Sequence, residues 1–144
     1  MSILGLEFTV KQTFRNELGD RVWKIMSKVE DMPKYWRGHR EISVVGNDGS
    51  NYIVKIRFAF PGPNNTGMAR IFVDNENKRV TINYIRGPIR GYVINYISNN
   101  TIISQWSVDI NPLFVLMKSW IKRHFMEGAN NALLRIVNEA ETTT

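Results

Sequence analysis

The chain reads as an α+β protein: a curved antiparallel sheet of about seven strands wrapped around one long C-terminal helix, with two short helices after the first strand. Three observations predict this. From Glu41 to Ile110 strand patterns follow one another with short breaks, which favours antiparallel neighbours. From Asn111 to Ala140 the apolar residues switch to helical spacing, with no proline after Pro112. No regular alternation of strands and helices marks a layered nucleotide fold. At 144 residues, 43% hydrophobic and 22% charged, residues 1–144 are expected to form one domain with a core that needs no staples.

Glu7 to Arg15 alternates, with Phe8, Val10 and Phe14 on one side and Thr9, Lys11, Thr13 and Arg15 on the other: a half-buried strand. Asn16 reads as the N-cap of a helix carrying Val22, Trp23, Ile25, Met26 and Val29, with Gly19 weakening its first turn. Pro33 interrupts that pattern, and a second short helix runs through Lys34 and Tyr35 to Trp36. Ile42 to Gly46 is a short strand, and Asn47-Asp48-Gly49-Ser50 a turn.

The clearest strand follows. Tyr52, Val54, Ile56, Phe58 and Phe60 alternate with Ile53, Lys55, Arg57 and Ala59, and Pro61-Gly62-Pro63 ends the run. Thr66–Asp74, Arg79–Arg86, Ile89–Ser98 and Thr101–Ile110 complete the sheet. Both faces of Ile89–Ser98 are apolar, so periodicity leaves its inner face open. The last segment has Asn111 as N-cap and Pro112 in the first turn, with Phe114, Met117, Ile121, Phe125, Gly128, Ala132 and Ile136 as one stripe. Roughly 29 residues of helix span about 43 Å, enough to cross the sheet. Gly128 reads as a site of close packing, or as a kink that opens space beneath the helix. Leu113–Met117, apolar all round, is expected to be buried; the alternative is a gate that touches membrane.

The net charge is +6 and the isoelectric point about 9.8. The basic residues are scattered, which is the pattern of a solvated surface more than of an anion-binding patch. There are no cysteines, which excludes disulfides, thiolate metal sites and cysteine nucleophiles. No run approaches the ~20 apolar residues of a membrane span, and Met1–Glu7 has neither a basic start nor the apolar run of a signal peptide. A cytoplasmic protein without stable membrane insertion is the expectation.

The order strand, two short helices, six strands and long helix resembles the helix-grip fold of the START-like, polyketide-cyclase/dehydrase superfamily (SRPBCC). The likeness covers nearly the whole chain. It is carried locally by Val22-Trp23 on the first helix, the acidic Glu30-Asp31, then Pro33 and Trp36, and by Gly87-Pro88-Ile89-Arg90-Gly91 leading into the penultimate strand. The chain departs from the common pattern at Lys28, where members often carry aspartate, and at Asn99-Asn100-Thr101. The resemblance implies a cavity between the sheet and the terminal helix. Relatives use it for lipids, sterols, quinones, polyketides or hormones, and a minority catalyse cyclisation or dehydration.

In that setting the cavity is expected to be lined by Trp36, by Phe58 and Phe60, by Tyr84 and Trp106, and by Phe114, Met117, Ile121, His124 and Phe125 from the long helix. Each of these is also an ordinary core residue at its spacing; as a set they give the apolar, aromatic wall that ligand pockets favour. Arg37 and Arg40 in one loop, and Arg86 and Arg90 in another, either flank the mouth, suited to a carboxylate or phosphate head group, or are scattered loop charges. His39, in Arg37-Gly38-His39-Arg40, reads as a solvated loop residue.

The residues carry no metal-type spacing, no Gly-x-Ser-x-Gly, no phosphate loop and no paired carboxylates, so neither a metal nor a cofactor is expected. The leading reading is a carrier or sensor of a small hydrophobic or lipid-like ligand, without chemistry. The alternative is a polyketide cyclase/dehydratase-like enzyme with His124 or Tyr84 as acid/base. Nucleic-acid binding ranks last, because the aromatics fall on faces read as internal.

Overall fold

The computed structural model describes residues 4–59 and 65–142. Seven strands form one antiparallel sheet: β1 Gly5–Thr13, β2 His39–Asn47, β3 Asn51–Phe58, β4 Thr66–Asp74, β5 Arg79–Arg86, β6 Ile89–Ser98 and β7 Thr101–Ile110. Their spatial order is β1-β7-β6-β5-β4-β3-β2. The first strand therefore lies beside the last, and the sheet curves around the helix α3, Lys118–Thr142. Between β1 and β2 run a 3-10 turn, the helix α1 Gly19–Met26, a second 3-10 turn and the one-turn helix α2 Met32–Tyr35.

Period-two alternation orients every strand. Val54, Ile56 and Phe58 of β3 are buried, as are Ala69, Ile71 and Val73 of β4 and Val80, Ile82 and Tyr84 of β5. The inner face of β6 is Ile89, Val93 and Asn95: Val93 pairs with Trp106 and Asn95 with Ser104. Asn95 is buried without penalty, because Ser104 Oγ donates to its Oδ1 at 2.5 Å while Trp106 Nε1 donates to Ser104 Oγ at 2.9 Å. Arg70, Phe72, Tyr92 and Gln105 lie on the exposed outer face.

The C-terminal half of α3 buries Ala129, Ala132, Leu133, Ile136, Val137 and Ala140, the i, i+3, i+4 repeat of a helix on a sheet. Its alanines let the backbone approach closely, and Gln12 of β1 donates to Asn130 at 2.8 Å.

Three sequence expectations are corrected. Asn16 caps nothing: the first helical turn is a 3-10 segment behind Arg15, with no side-chain cap. Asn111 does accept from the Leu113 N–H at 3.0 Å, but what it opens is a 3-10 helix, Pro112–Met117, and α3 begins only at Lys118. The tighter turn of about three residues shifts the phase of the predicted stripe. Hence Phe114 is only partly buried, while Leu113, Leu116 and Met117 are 79%, 98% and 45% exposed rather than buried. No helix among the described residues is long and apolar enough to cross a membrane.

Gly91 shows how the sheet constrains β6. It sits at φ +125, and a Cβ there would stand 2.5 Å from the Ser107 carbonyl oxygen and 2.9 Å from Val108 Cα. Gly91→Ala combines backbone strain with overpacking, and a loss of about 2–4 kcal/mol is expected in urea unfolding. A loss below about 1 kcal/mol would mean that the β6–β7 ladder yields there.

Candidate functional site

The sheet and α3 do not meet over their whole length. Toward the N-terminal half of α3 they part around a recess of about 90 Å³, lined by Trp36, His39, Phe58, Tyr84, Ile89, Trp106 and Phe125, with Arg37, Gly38, Ala59, Pro88, His124, Gly128 and Ala129 completing it. Its wall is predominantly aromatic. Trp106 is the hub: its ring stacks on Phe8 at 5.1 Å and lies 5.6 Å from Phe125 and 6.4 Å from Trp36. These contacts tie β1, β7, α3 and the end of α2 to one side chain.

Gly128 borders the recess and is exposed. A Cβ at this position would meet nothing within 4 Å, so glycine here serves neither close packing nor turn geometry. Any larger residue would project into free space at the mouth. Of the two sequence readings of Gly128, close packing is excluded.

Opposite the helix lies a pair that sequence reading did not bring together. His39 Nε2 and Tyr84 Oη are 2.6 Å apart, and the two rings are nearly parallel, with centroids 5.8 Å apart. The expectation of a solvated His39 is overturned: the residue is 5% exposed. The physical reason is a β-bulge. His39 pairs with Phe58 and Glu41 with Arg57, with the register shifting between them. Strict alternation from Ile42 back would turn Arg40 inward; the bulge spends Arg40 as the extra residue and turns His39 in.

Burial lowers the His39 pKa from 6.5 to about 4, a shift offset only in part by the nearby Trp36 carbonyl. Burial likewise raises the Tyr84 phenol far above its usual range. Both side chains are therefore neutral around pH 7. The other imidazole nitrogen of His39, Nδ1, has no hydrogen-bond partner among the described residues.

The remaining predicted residues fall as follows. Ile121 is core, 1% exposed. Phe114 packs against the core, Met117 faces out on the 3-10 helix, and neither is part of the recess. Phe60 lies outside the described residues. Of the four arginines, Arg37 stands at the recess. Arg40 and Arg90 are exposed on strands away from it, and Arg86 turns to the sulfur of Met68. They form no ring of head-group donors. His124 is exposed at the mouth, its ring stacked on Trp120 at 5.1 Å. No group of three or more histidine, aspartate or glutamate residues among the described positions is placed to hold a metal.

No model of a known protein family matches the sequence, and no curated protein matches it. Solved structures do match in fold. The Zhui aromatase/cyclase from a Streptomyces strain is 14% identical at TM-score 0.66, over 95% of this chain and 93% of its own. Norcoclaurine synthase from Thalictrum flavum is 16% identical at TM-score 0.63, over 94% and 86%. A STAR-related lipid transfer protein from Xanthomonas axonopodis is 9% identical at TM-score 0.60, again over 94% and 86%. The chain has the helix-grip fold that these structures share. At these identities the likeness concerns the fold alone.

Proposed function

We propose that the protein binds a compact hydrophobic ligand in the recess between the sheet and α3, as a carrier or sensor. The observation that carries this reading is an aromatic-walled opening between the sheet and α3, bordered by the exposed Gly128. The volume of about 90 Å³ is below the 300–1,000 Å³ of typical drug-sized pockets. A small guest suits the recess as it stands, whereas a lipid chain requires α3 to move away from the sheet. The neighbours in fold, a cyclase and a lipid transfer protein among them, are compatible with such a role without selecting it.

The His39–Tyr84 pair favours one alternative, a cyclase/dehydratase-like enzyme in which it supplies acid and base. Its electrostatics argue against that alternative. A general base works best with a pKa near the operating pH, and a histidine lowered by burial to about 4 is a poor proton acceptor. Tyr84, shifted upward, is a poor donor of its proton. The pair is better suited to hold a ligand than to transform one.

The test is a titration of intrinsic tryptophan fluorescence with small aromatic and aliphatic compounds, backed by native mass spectrometry of freshly purified protein. Gly128→Phe is expected to abolish binding by filling the mouth. Gly128→Ala is expected to retain binding and to gain about 1 kcal/mol of stability. Unaltered affinity in Gly128→Phe, or no binding by any compound in the wild type, would remove the proposal.

A further inference from the structure

The start of the last helical segment holds large apolar side chains out in water. Leu113 is 79% exposed, Leu116 98%, Met117 45% and Trp120 50%. Helix pitch lines them up. In the 3-10 helix Pro112–Met117, residues three apart eclipse, which sets Leu113 in line with Leu116. In α3, residues three and four apart share a face, which continues the row from Leu116 and Met117 to Trp120. The Trp120 indole is held in place by the His124 ring, on which it stacks at 5.1 Å. Contiguous apolar side chains exposed to this degree mark an interaction surface, unlike single ones scattered over a protein.

Charge decides what covers this ridge. No acidic residue lies between Asp109 and Glu127, whereas Lys118, Lys122 and Arg123 all fall there. Arg123 is exposed and the two lysines are half-buried, bordering a cleft that also holds Glu7 and Asp109. Arg90 stands opposite Asp109 across the β6–β7 ladder, so cations outnumber carboxylates at this end of the molecule. A second copy of the chain is a poor cover. A two-fold contact sets the patch against itself and brings the lysines and Arg123 of both copies together with no acid among them.

We propose that the ridge Leu113–Trp120 docks the protein on an anionic lipid surface. The leucine and methionine side chains enter the acyl boundary, the indole of Trp120 takes the headgroup level that aromatic residues favour, and the flanking cations meet the lipid phosphates. The ridge is far shorter than the ~20 residues of a membrane span, so the contact is peripheral. It adjoins the recess: His124 and Pro88 both border that opening, and the Pro88 carbonyl accepts the Asn111 N–H at 3.1 Å. The docking surface stands whether or not the recess holds a ligand.

The test is co-sedimentation with vesicles of phosphatidylcholine alone and of phosphatidylcholine mixed with phosphatidylglycerol, three to one, at about 0.1 M salt. The wild type is expected to partition about tenfold more strongly onto the mixed vesicles. The double variant Leu113→Ser/Leu116→Ser keeps every charge and alters only exposed side chains; it is expected to lose about tenfold in that partitioning. Trp120 gives a second readout, because it is 50% exposed while Trp23, Trp36 and Trp106 are 8%, 7% and 8% exposed. Tryptophan emission is expected to shift to the blue on mixed vesicles in the wild type and to stay in place in Trp120→Phe. Without lipid, sedimentation velocity is expected to show a monomer for the wild type and the double variant alike. Equal partitioning of these two proteins would reduce the effect to adsorption of a basic protein and overturn the docking surface. Failure of the wild type to bind either vesicle would overturn it too, as would a wild-type dimer lost in the double variant, which would assign the ridge to a second copy.

Discussion

Replacing Trp106 by alanine should cost about 4 kcal/mol of stability, the largest loss expected from any single side chain of the site. The indole is 8% exposed and is packed by Phe8, Trp36 and Phe125, each from a different element. Truncating a buried tryptophan loses its transfer free energy and leaves a void that a sheet pinned on both sides closes poorly, about 3–5 kcal/mol in all. The loss of Nε1 also removes the donor to Ser104 Oγ, although Ser104 keeps Asn95. The void is continuous with the recess, so the variant should accept two-ring aromatics that the wild type rejects. Urea unfolding measures the first effect and a naphthalene titration the second. A loss under about 1.5 kcal/mol would mean that the hub is not the keystone its contacts imply.

Acid should destabilise the protein through His39 by about 3 kcal/mol. The folded-state pKa is about 4 against an ordinary 6.5, so the unfolded chain binds a proton that the folded one refuses. The contribution of the neutral, buried ring is complete above pH 6.5. It falls as the pH drops through the window from 6.5 to about 4 and is fully lost below that. His39→Gln cannot be protonated and should lack this component, so its stability curve between pH 7 and 4 should be flatter than that of the wild type by the same amount. Parallel curves for the two proteins would show that His39 is solvated or that water reaches Nδ1 readily.

The fold was legible because its elements carry unmixed periodicities. The alternation in Tyr52–Phe60, the short turns between later strands and the helical stripe that continues through Ala132 and Ile136 each permit one reading. The inner face of β6 was not legible, since Tyr92, Ile94 and Tyr96 are as apolar as Val93 and Ile97. Register decides it, and register is a property of pairing with β5 and β7. The site was half legible. Aromatic residues at inward positions pointed to Trp36, Phe58, Tyr84, Trp106 and Phe125, all of which line the recess.

His39 escaped because a bulge inverts the parity of β2 at its first residues, and nothing in Arg37-Gly38-His39-Arg40 announces a bulge. The exposed apolar start of the last helix escaped for a similar reason. A 3-10 segment and an α-helix share their capping residues, Asn111 and Pro112, but turn at different pitch. The low rank given to nucleic-acid binding rested on internal aromatics. Phe72 and Tyr92, which were not among those aromatics, lie on the outer face, 41% and 52% exposed.

The most direct test of the account is the indole region of an ¹⁵N–¹H spectrum during titration with a small aromatic compound such as benzene. Four tryptophans report separately. Trp36 and Trp106 line the recess, whereas Trp23 is not part of its lining and its Nε1 donates to Asn75 Oδ1 at 3.0 Å. Occupancy of the recess predicts saturable shifts at Trp36 and Trp106, none at Trp23, and no shift at any of the three in Gly128→Phe. Shifts of equal size at Trp23, or shifts that persist in Gly128→Phe, would contradict it.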